Sequence, residues 1–203
     1  IIMAGGKVKK NLSDLERKIT DRYYKDKYLL GKGYKPLKKV RIKRGSKKEP
    51  LIHYVLSALD QTPAIDDITI VGEKDRLNRF LSKQKYSKPT NIVQQEGSIL
   101  ENALIGYETS NAKKHALFLA SDIPKITPFS IRDFLKRCDG EYDMYFPIIG
   151  WETGIINKKR PPLELLDSKH EEKLDKIYDK HGRRGFRIGN VIYANPDNIG
   201  NKE

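Results

Sequence analysis

A short apolar segment that ends in a carboxylate has the clearest chemical potential in this chain. Residues 117–120 (Leu-Phe-Leu-Ala) predict a buried strand, which Asp122 follows and Pro124 prevents from continuing. Open α/β sheets bind ligands at the carboxyl ends of their strands. Mg²⁺ prefers one or two carboxylates together with phosphate oxygens. Asp122 is therefore a candidate metal ligand, and the alternative is a capping role for the helix predicted to start near Thr127.

Two glycines follow the first apolar segment of the chain. Ile1 to Ala4 predict a strand, and Gly5, Gly6 and Lys7 come directly after it. Glycines let a backbone approach a phosphate closely and point its N–H groups at it. The spacing matches neither a GxGxxG fingerprint nor a Walker A loop, so a simple turn is the alternative.

A lysine next to a proline is a candidate phosphate contact. Lys35 precedes Pro36, and a proline restricts the backbone of the residue before it. The ammonium group can then be held in one place, where a point charge would stabilise an α-phosphate. Because neighbouring residues are also lysines, an ordinary surface position is the alternative.

A polar loop between a predicted strand and a predicted helix is a candidate site for a nucleobase. Gln94 and Gln95 each carry a hydrogen-bond donor and an acceptor, which suits the edge of a base. Gly97 allows close approach, and a helix that starts at Ser98 presents an N-terminus that favours anions. The alternative is an ordinary strand-to-helix loop.

The positive charge of the chain is concentrated near its start. Residues 1–50 contain 17 Lys and Arg against 5 Asp and Glu, whereas the remaining 153 residues contain 23 against 22. A basic block that accompanies a candidate metal carboxylate indicates a polyanionic ligand, either a nucleoside triphosphate or a nucleic acid. A solvated basic loop without a partner is the alternative.

Several functional classes are excluded by composition and spacing. No segment of the 203 residues is long and apolar enough for a transmembrane helix, so we expect no membrane partner. Cys138 is the only cysteine, which excludes a disulfide framework and a thiolate metal cluster and favours a cytoplasmic setting. The four histidines lack metal-ligand spacing.

Because the chain begins at Ile1 and ends soon after a strand, we expect residues to be missing at both ends.

Strand and helix signals alternate along the chain, which favours a mostly parallel sheet with right-handed crossovers. The predicted strands are 1–4, 68–71, 91–93, 117–120, 144–149 and 186–194. The predicted helices are 50–60, 74–83, 98–110 and 128–138. A capping box of Ser98 and Glu101 is expected to start the third helix. Residues 7–48 and 150–186 break the alternation and are expected to be insertions in a single domain of residues 1–203.

The order of these motifs resembles that of the MobA-like nucleotidyltransferases. A strand ending in Ala-Gly-Gly is followed by Lys-Pro-Leu, then by Glu-Pro-Leu-Ile-x-Tyr-Val-Leu-x-Ala-Leu and Ile-x-Ile-Val-Gly. Residues 97–103, residues 120–124 and the pair Gly189-Asn190 continue the match to about residue 199. The resemblance implies a Rossmann-like, GT-A-type α/β fold, a three-layer sandwich with a mostly parallel central sheet.

The resemblance also implies a reaction. A nucleoside monophosphate would pass from an NTP to a phosphorylated sugar, alcohol or cofactor acceptor, with Mg²⁺ as cofactor and pyrophosphate as product. By position, the triphosphate would contact Ala4, Gly5, Gly6 and Lys7. Lys35 would stabilise the α-phosphate, Asp122 would hold Mg²⁺, and the base would lie near Gln95, Gly97 and Ser98. Asn190 would face the acceptor or the metal.

The chain departs from the family pattern in one segment. No arginine follows the glycines at the usual spacing, and 28 residues separate Gly6 from Lys35. The insertion is either a lid whose lysines add to phosphate binding or the mark of altered or lost activity.

Two other functions stay open. One is a nucleic-acid-binding module whose basic block and tyrosines follow a phosphate backbone, and the other is a nucleotide-binding regulator without turnover.

Overall fold

The computed structural model describes residues 1–5, 34–149 and 187–199. It divides into two units, one of residues 1–145 with 193–203 and one of residues 146–192. Gly6, Lys7, most of the basic insertion and the insertion expected at 150–186 lie outside the described residues. The organisation as a single domain with two insertions therefore stays a prediction.

The described residues form ten strands and five α-helices. The strands are β1 (Ile2–Met3), β2 (Lys39–Val40), β3 (Glu49–Pro50), β4 (Ile68–Gly72), β5 (Thr90–Gln94), β6 (Ala116–Ala120), β7 (Met144–Tyr145), β8 (Ile148–Ile149), β9 (Arg187–Ile188) and β10 (Val191–Ala194). The helices are α1 (Leu51–Asp60), α2 (Lys74–Leu81), α3 (Ile99–Thr109), α4 (Pro128–Lys136) and α5 (Pro196–Ile199). Within these ranges, no helix combines the length and apolarity required to cross a bilayer.

A six-stranded sheet lies at the centre of the first unit, in the order β5-β4-β1-β6-β10-β7. β1 pairs in parallel with β4 and with β6, and β4 pairs in parallel with β5. β10 and β7 pair antiparallel. The prediction of a Rossmann-like α/β fold with a mostly parallel sheet is confirmed.

The central strands are the most buried part of this sheet. All five residues of β4 and four of the five in β6 are buried. Continuous burial of this kind is typical of parallel strands that are covered on both faces. Ile2, Ile70 and Leu119 are almost fully inaccessible and lie side by side, because Ile2 is paired with both of the others. This core fixes the strand ends from which the candidate site is built.

The helices start and end close to the predicted positions. The hydroxyl of Ser98 accepts a hydrogen bond from the N–H of Glu101 (3.2 Å), and the Glu101 carboxylate accepts one from the N–H of Ser98. The predicted capping box is therefore confirmed. A second capping box joins Thr127 and Ser130 at the start of α4, where the helix was expected to begin.

Two predicted strands are each divided in the structure, so those predictions are wrong as single strands. Residues 144–149 form β7 and β8, because Pro147 lies between them and proline cannot donate a ladder hydrogen bond. Residues 187–194 form β9 and β10, with a bend at Asn190. β8 and β9 pair antiparallel as a two-stranded sheet in the second unit.

A β-hairpin that begins in the basic insertion and ends just after it was not predicted. β2 and β3 pair antiparallel, with Lys39 opposite Pro50 and Val40 opposite Glu49. The hydroxyl of Tyr54 in α1 donates to the carbonyl of Val40 at 3.1 Å. Residues 38–50 are thus a hairpin attached to α1 rather than an irregular loop.

Candidate active site

The carboxyl ends of β1 and β6 bring Gly5 and Asp122 to the same edge of the sheet. Met3 is the register partner of Ala120, so the residues that follow these two strands emerge side by side. The N–H of Ser121 donates to the carbonyl of Met3 at 3.2 Å and extends the pairing beyond the strands. The sequence predicts Asp122 at the end of a strand, and the parallel pairing of β1 with β6 places Gly5 beside it.

Tyr34 fixes the segment that carries Lys35. Its buried hydroxyl donates to the carbonyl of Ala4 (2.5 Å) and accepts from the N–H of Glu73 (3.0 Å). Burial is the main reason that the pKa of Tyr34 rises to about 12, so the phenol is a neutral donor over the physiological pH range. Tyr34 was not among the predicted site residues, although its position next to Lys-Pro-Leu was the available signal.

The ammonium of Lys35 contacts Oδ2 of Asp122 across 87 residues of sequence. The Lys35 side chain is 47% exposed and that of Asp122 is 30% exposed. An ion pair at this exposure is screened by water and adds little to stability. Its importance is positional, because it brings the predicted phosphate-binding cation and the predicted metal-binding carboxylate together at one point.

A cavity of about 530 Å³ opens at this point. Its volume falls within the range of small-molecule sites. Five of the predicted site residues line it: Gly5, Lys35, Gln95, Gly97 and Asp122. Its lining also includes residues that were not predicted as site residues, among them Met3, Glu96, Asn102 and Ser121.

Gln95 lies directly against Gly5. A Cβ on residue 5 would be 2.8 Å from Oε1 of Gln95, so a larger residue would not fit beside it. Oε1 is buried and has no hydrogen-bond partner among the described residues. A buried acceptor without a donor costs about 1–3 kcal/mol. A donor from a ligand or an adjoining residue would therefore stabilise this position.

Asn102, in the first turns of α3, holds the polar loop that precedes the helix. Its Oδ1 accepts from the N–H of Glu96 (2.6 Å), and its Nδ2 donates to the carbonyl of Ser98 (2.7 Å). Gly97 has φ = +57°, a region that strongly favours glycine. Gly97 thus has a structural reason to be glycine that is independent of any ligand. The sequence signals for Asn102 were an asparagine within a predicted helix and its place in the 97–103 motif.

The other predicted site residues have different surroundings. Ala4 is fully buried, and Ser98 caps α3. Asn190 is an exposed residue of the second unit, between β9 and β10. Gly6 and Lys7 lie outside the described residues. The predicted ligand contacts of all these residues stay predictions.

Asp122 would suit a metal ion whose remaining ligands come from a substrate and water. No group of three His, Cys, Asp or Glu side chains within the described ranges is arranged to hold a metal ion. A dedicated protein cage is therefore not formed by these residues. Mg²⁺ instead commonly takes one or two carboxylates and completes its shell with phosphate oxygens and water. The carboxylate of Asp122 at the cavity, with Glu96 on the same lining, suits this second arrangement.

Residues 31–188 match the MobA-like NTP transferase domain family. This chain belongs to that family. The matched range covers well over half of the sequence and includes Lys35, Gln95 and Asp122. This member of the MobA-like family is accordingly a nucleotidyltransferase, and the resemblance stated from its motifs is confirmed.

Solved structures share the fold at low sequence identity. The chain is similar to 4-diphosphocytidyl-2C-methyl-D-erythritol synthase from Anaerococcus prevotii (13% identity, TM-score 0.57, 98% of this chain and 69% of that one). It is also similar to a CMP:2-keto-3-deoxy-manno-octonic acid synthetase complexed with CTP (14%, 0.54, 82% and 69%). A hypothetical transferase from Thermus thermophilus is 21% identical, with a TM-score of 0.56 over 96% of this chain and 63% of that one. No curated protein sequence matches the chain.

Proposed function

We propose that this chain transfers a nucleoside monophosphate from an NTP to a phosphorylated sugar, alcohol or cofactor and releases pyrophosphate. The contact between Lys35 and Asp122 at the cavity edge, beside Gly5, carries the proposal. Family membership supports NTP transfer, and a structural neighbour is complexed with CTP. The phosphorylated acceptor rests on the chemistry of Lys35, because an ammonium beside a carboxylate that suits Mg²⁺ would favour a phosphate group on the acceptor.

Lys35 is the proposed electrostatic catalyst. In the reaction, an acceptor phosphate oxygen forms a bond to the α-phosphorus, and the bond to the bridging oxygen of the β-phosphate breaks. The electron pair of the broken bond leaves with pyrophosphate. Negative charge accumulates around the α-phosphorus, and a fixed ammonium stabilises it more than it stabilises the ground state.

Asp122 is the proposed ligand of Mg²⁺. When bound, the ion would neutralise charge on phosphate oxygens. The same carboxylate contacts the ammonium of Lys35, so the two groups would face the same phosphate. Ala4, Gly5, Gly6 and Lys7 would line the triphosphate, and Asn190 would face the acceptor or the ion.

Gln95 is the proposed contact for the base, together with Gly97 and Ser98. The unpaired Oε1 of Gln95 supports this role, because a base with an exocyclic amino group would supply a donor that the described residues do not provide. The side-chain amide of Gln95 also lies against Gly5, so one side chain would contact both the base and the loop that binds the triphosphate.

We also propose a cytoplasmic setting, because Cys138 is the only cysteine in the sequence.

Thermal stabilisation by nucleotides tests the proposal. ATP, GTP, CTP and UTP would each be added with and without Mg²⁺ to the wild type, to Asp122→Asn and to the control Asp133→Asn. Asp133 is an exposed carboxylate on α4 that pairs, among the described residues, with Arg137 of the same helix. A ligand that binds the folded state raises the melting temperature by mass action.

We expect at least one NTP to stabilise the wild type and Asp133→Asn in the presence of Mg²⁺, with a much smaller shift for Asp122→Asn. That NTP would then be used to screen phosphorylated acceptors for release of pyrophosphate. The absence of any shift with all four nucleotides would contradict the proposal. A shift without pyrophosphate release across the acceptors would favour a nucleotide-binding regulator.

A further inference from the structure

The hairpin of residues 38–50 carries a dense positive charge. Residues 38–49 contain seven Lys and Arg against a single acidic residue. Arg41, Lys43, Arg44 and Lys48 are exposed, and none of them forms an ion pair with any part of the chain that the structure describes. Lys47 pairs with Glu49 at 3.2 Å. Four like charges without compensation repel one another, so the surface favours an anionic partner.

Hydrogen bonds order the backbone that carries these cations. At the tip, the N–H of Ser46 donates to the carbonyl of Lys43 (3.1 Å), and the Ser46 hydroxyl donates to the same oxygen (2.7 Å). At the base, the N–H of Leu51 donates to the carbonyl of Lys38 (3.0 Å). A backbone that is already ordered loses less conformational entropy when the hairpin binds a ligand.

The hairpin begins at the candidate active site. Lys35 lines the cavity, and the N–H of Lys38 donates to the carbonyl of Lys35 at 3.0 Å. Six residues then lead from Lys38 to Arg44, which spans at most about 20 Å of extended chain. An acceptor with a single phosphate at Lys35 would leave the outer cations without a partner. A linear ligand that follows the hairpin from the cavity over up to about this length would reach them.

The composition of the hairpin limits the chemistry of that ligand. Its apolar side chains, Val40 and Ile42, are half-buried, and residues 38–49 include no aromatic side chain. It therefore offers neither an apolar wedge for a membrane nor an aromatic stacking surface for bases. What remains is recognition of phosphate groups by Lys and Arg.

We propose that the hairpin binds the distal phosphates of an acceptor whose reacting phosphate lies at Lys35 and Asp122. This inference rests on the proposed function and adds the class of acceptor. The acceptor is a linear molecule that bears several phosphate groups along its length, rather than a sugar with one phosphate. Arg41, Lys43 and Arg44 are its outer contacts.

Binding of linear polyphosphate tests the inference, with pyrophosphate as the short probe and chains of increasing defined length as the long ones. The test variant is R41Q/K43Q/R44Q. The matched control is K113Q/K114Q/K136Q, which removes the same charge from exposed positions before β6 and at the end of α4, away from the edge that carries Asp122. Melting temperatures of all three proteins establish that each is folded.

We expect the affinity of the wild type to rise with chain length and to fall about tenfold or more in R41Q/K43Q/R44Q. The slope of log K against log salt should decrease by about 2, at roughly 0.7 for each phosphate that the variant no longer neutralises. The control should stay within about threefold of the wild type. Lys35→Ala should also weaken long-chain binding, because one end of the chain occupies the cavity.

Three results would overturn the inference. The first is the same loss of affinity in R41Q/K43Q/R44Q and in K113Q/K114Q/K136Q. The second is the same affinity of the wild type for pyrophosphate and for long chains. The third is binding of a DNA duplex that is as tight as binding of long polyphosphate and does not change in Lys35→Ala. The last would identify a nucleic-acid interface instead. NTP stabilisation of the wild type is recorded in parallel. If it is absent while length-dependent binding is abolished in R41Q/K43Q/R44Q, the proposed function fails and the polyphosphate surface of the hairpin stands.

Discussion

Lys35 owes its position to its neighbour Tyr34. The phenol is tied to β1 through Ala4 and to the start of α2 through Glu73, so the lysine follows an anchored residue. Asp122 is placed by the end of β6. Two residues 87 positions apart thus meet because separate strand ends anchor them. The site depends on this anchoring as much as on the two charged groups.

Lys35→Ala should separate catalysis from binding. We expect kcat to fall about 10²- to 10³-fold, the usual loss when a group that stabilises transition-state charge is removed. The affinity for the NTP should change much less, because other groups around the triphosphate remain. Steady-state kinetics and nucleotide titrations measure the two effects.

The control for this substitution is Lys125→Ala. Lys125 is exposed and lies three residues after Asp122. Lys125→Ala removes the same charge as Lys35→Ala. It should leave kcat within about twofold of the wild-type value, since single surface charges contribute little. A loss of the same size in both variants would contradict the assigned role of Lys35.

Tyr34→Phe should weaken the fold and change its response to alkaline pH. The unfolded phenol ionises near its ordinary value of 10.0, whereas burial raises the pKa in the folded protein to about 12. The folded state therefore keeps its proton longer, and the free energy of unfolding falls as pH rises through this window. Denaturant titrations at several pH values should show a smaller fall in Tyr34→Phe.

The same variant removes both hydrogen bonds of the hydroxyl. At neutral pH, we expect a loss of about 1–3 kcal/mol in the free energy of unfolding, because the carbonyl of Ala4 loses its donor in a buried position. The KM for the NTP should rise as Lys35 loses its anchor. An unchanged stability and an unchanged KM would show that Tyr34 does not position the lysine.

At the scale of elements, the start of α3 shows how local chemistry shapes the cavity wall. The capping box of Ser98 and Glu101, the left-handed Gly97 and the side chain of Asn102 together define one turn of the chain. The hydrogen bond from Ser98 is the largest cause of the lowered pKa of the exposed Glu101 carboxyl. The loop at the cavity is therefore held by the helix that follows it.

Ser98→Ala should lower the free energy of unfolding by about 1 kcal/mol, the usual value of an N-cap side chain. Ser57→Ala is the matched control, because Ser57 lies inside α1, where alanine is the better helix former. That control should be neutral or slightly stabilising. Chemical denaturation distinguishes the two, and equal effects would contradict the capping argument.

At the scale of the whole molecule, the parallel sheet is the frame on which the site depends. Ile70 is fully buried at the centre of β4, between Ile2 and Ile92. Ile70→Ala should lower the free energy of unfolding by about 2–5 kcal/mol, because it leaves a cavity in this core. Asn91→Ala, on the exposed side of the edge strand β5, should change it by about 0.5 kcal/mol or less.

The sequence by itself determined the alternation of strands and helices, the fold class and the strand end at Asp122. Those features depend on local periodicity and on residue types that are close in sequence. The capping box at Ser98 was predictable for the same reason, since its two partners are three residues apart. The division of the strand at 144–149 was also legible in principle, because Pro147 lies within it.

Only the tertiary structure decided which of the candidate residues share a cavity. Lys35, Gln95 and Asp122 meet because strands that are distant in sequence pair side by side, and periodicity carries no information on strand order. The bridging role of Tyr34 and the buried amide of Asn102 depend on partners in other elements or in a neighbouring loop. The basic hairpin escaped prediction because its strands are two residues long, and α1 rather than an alternating pattern holds them in place.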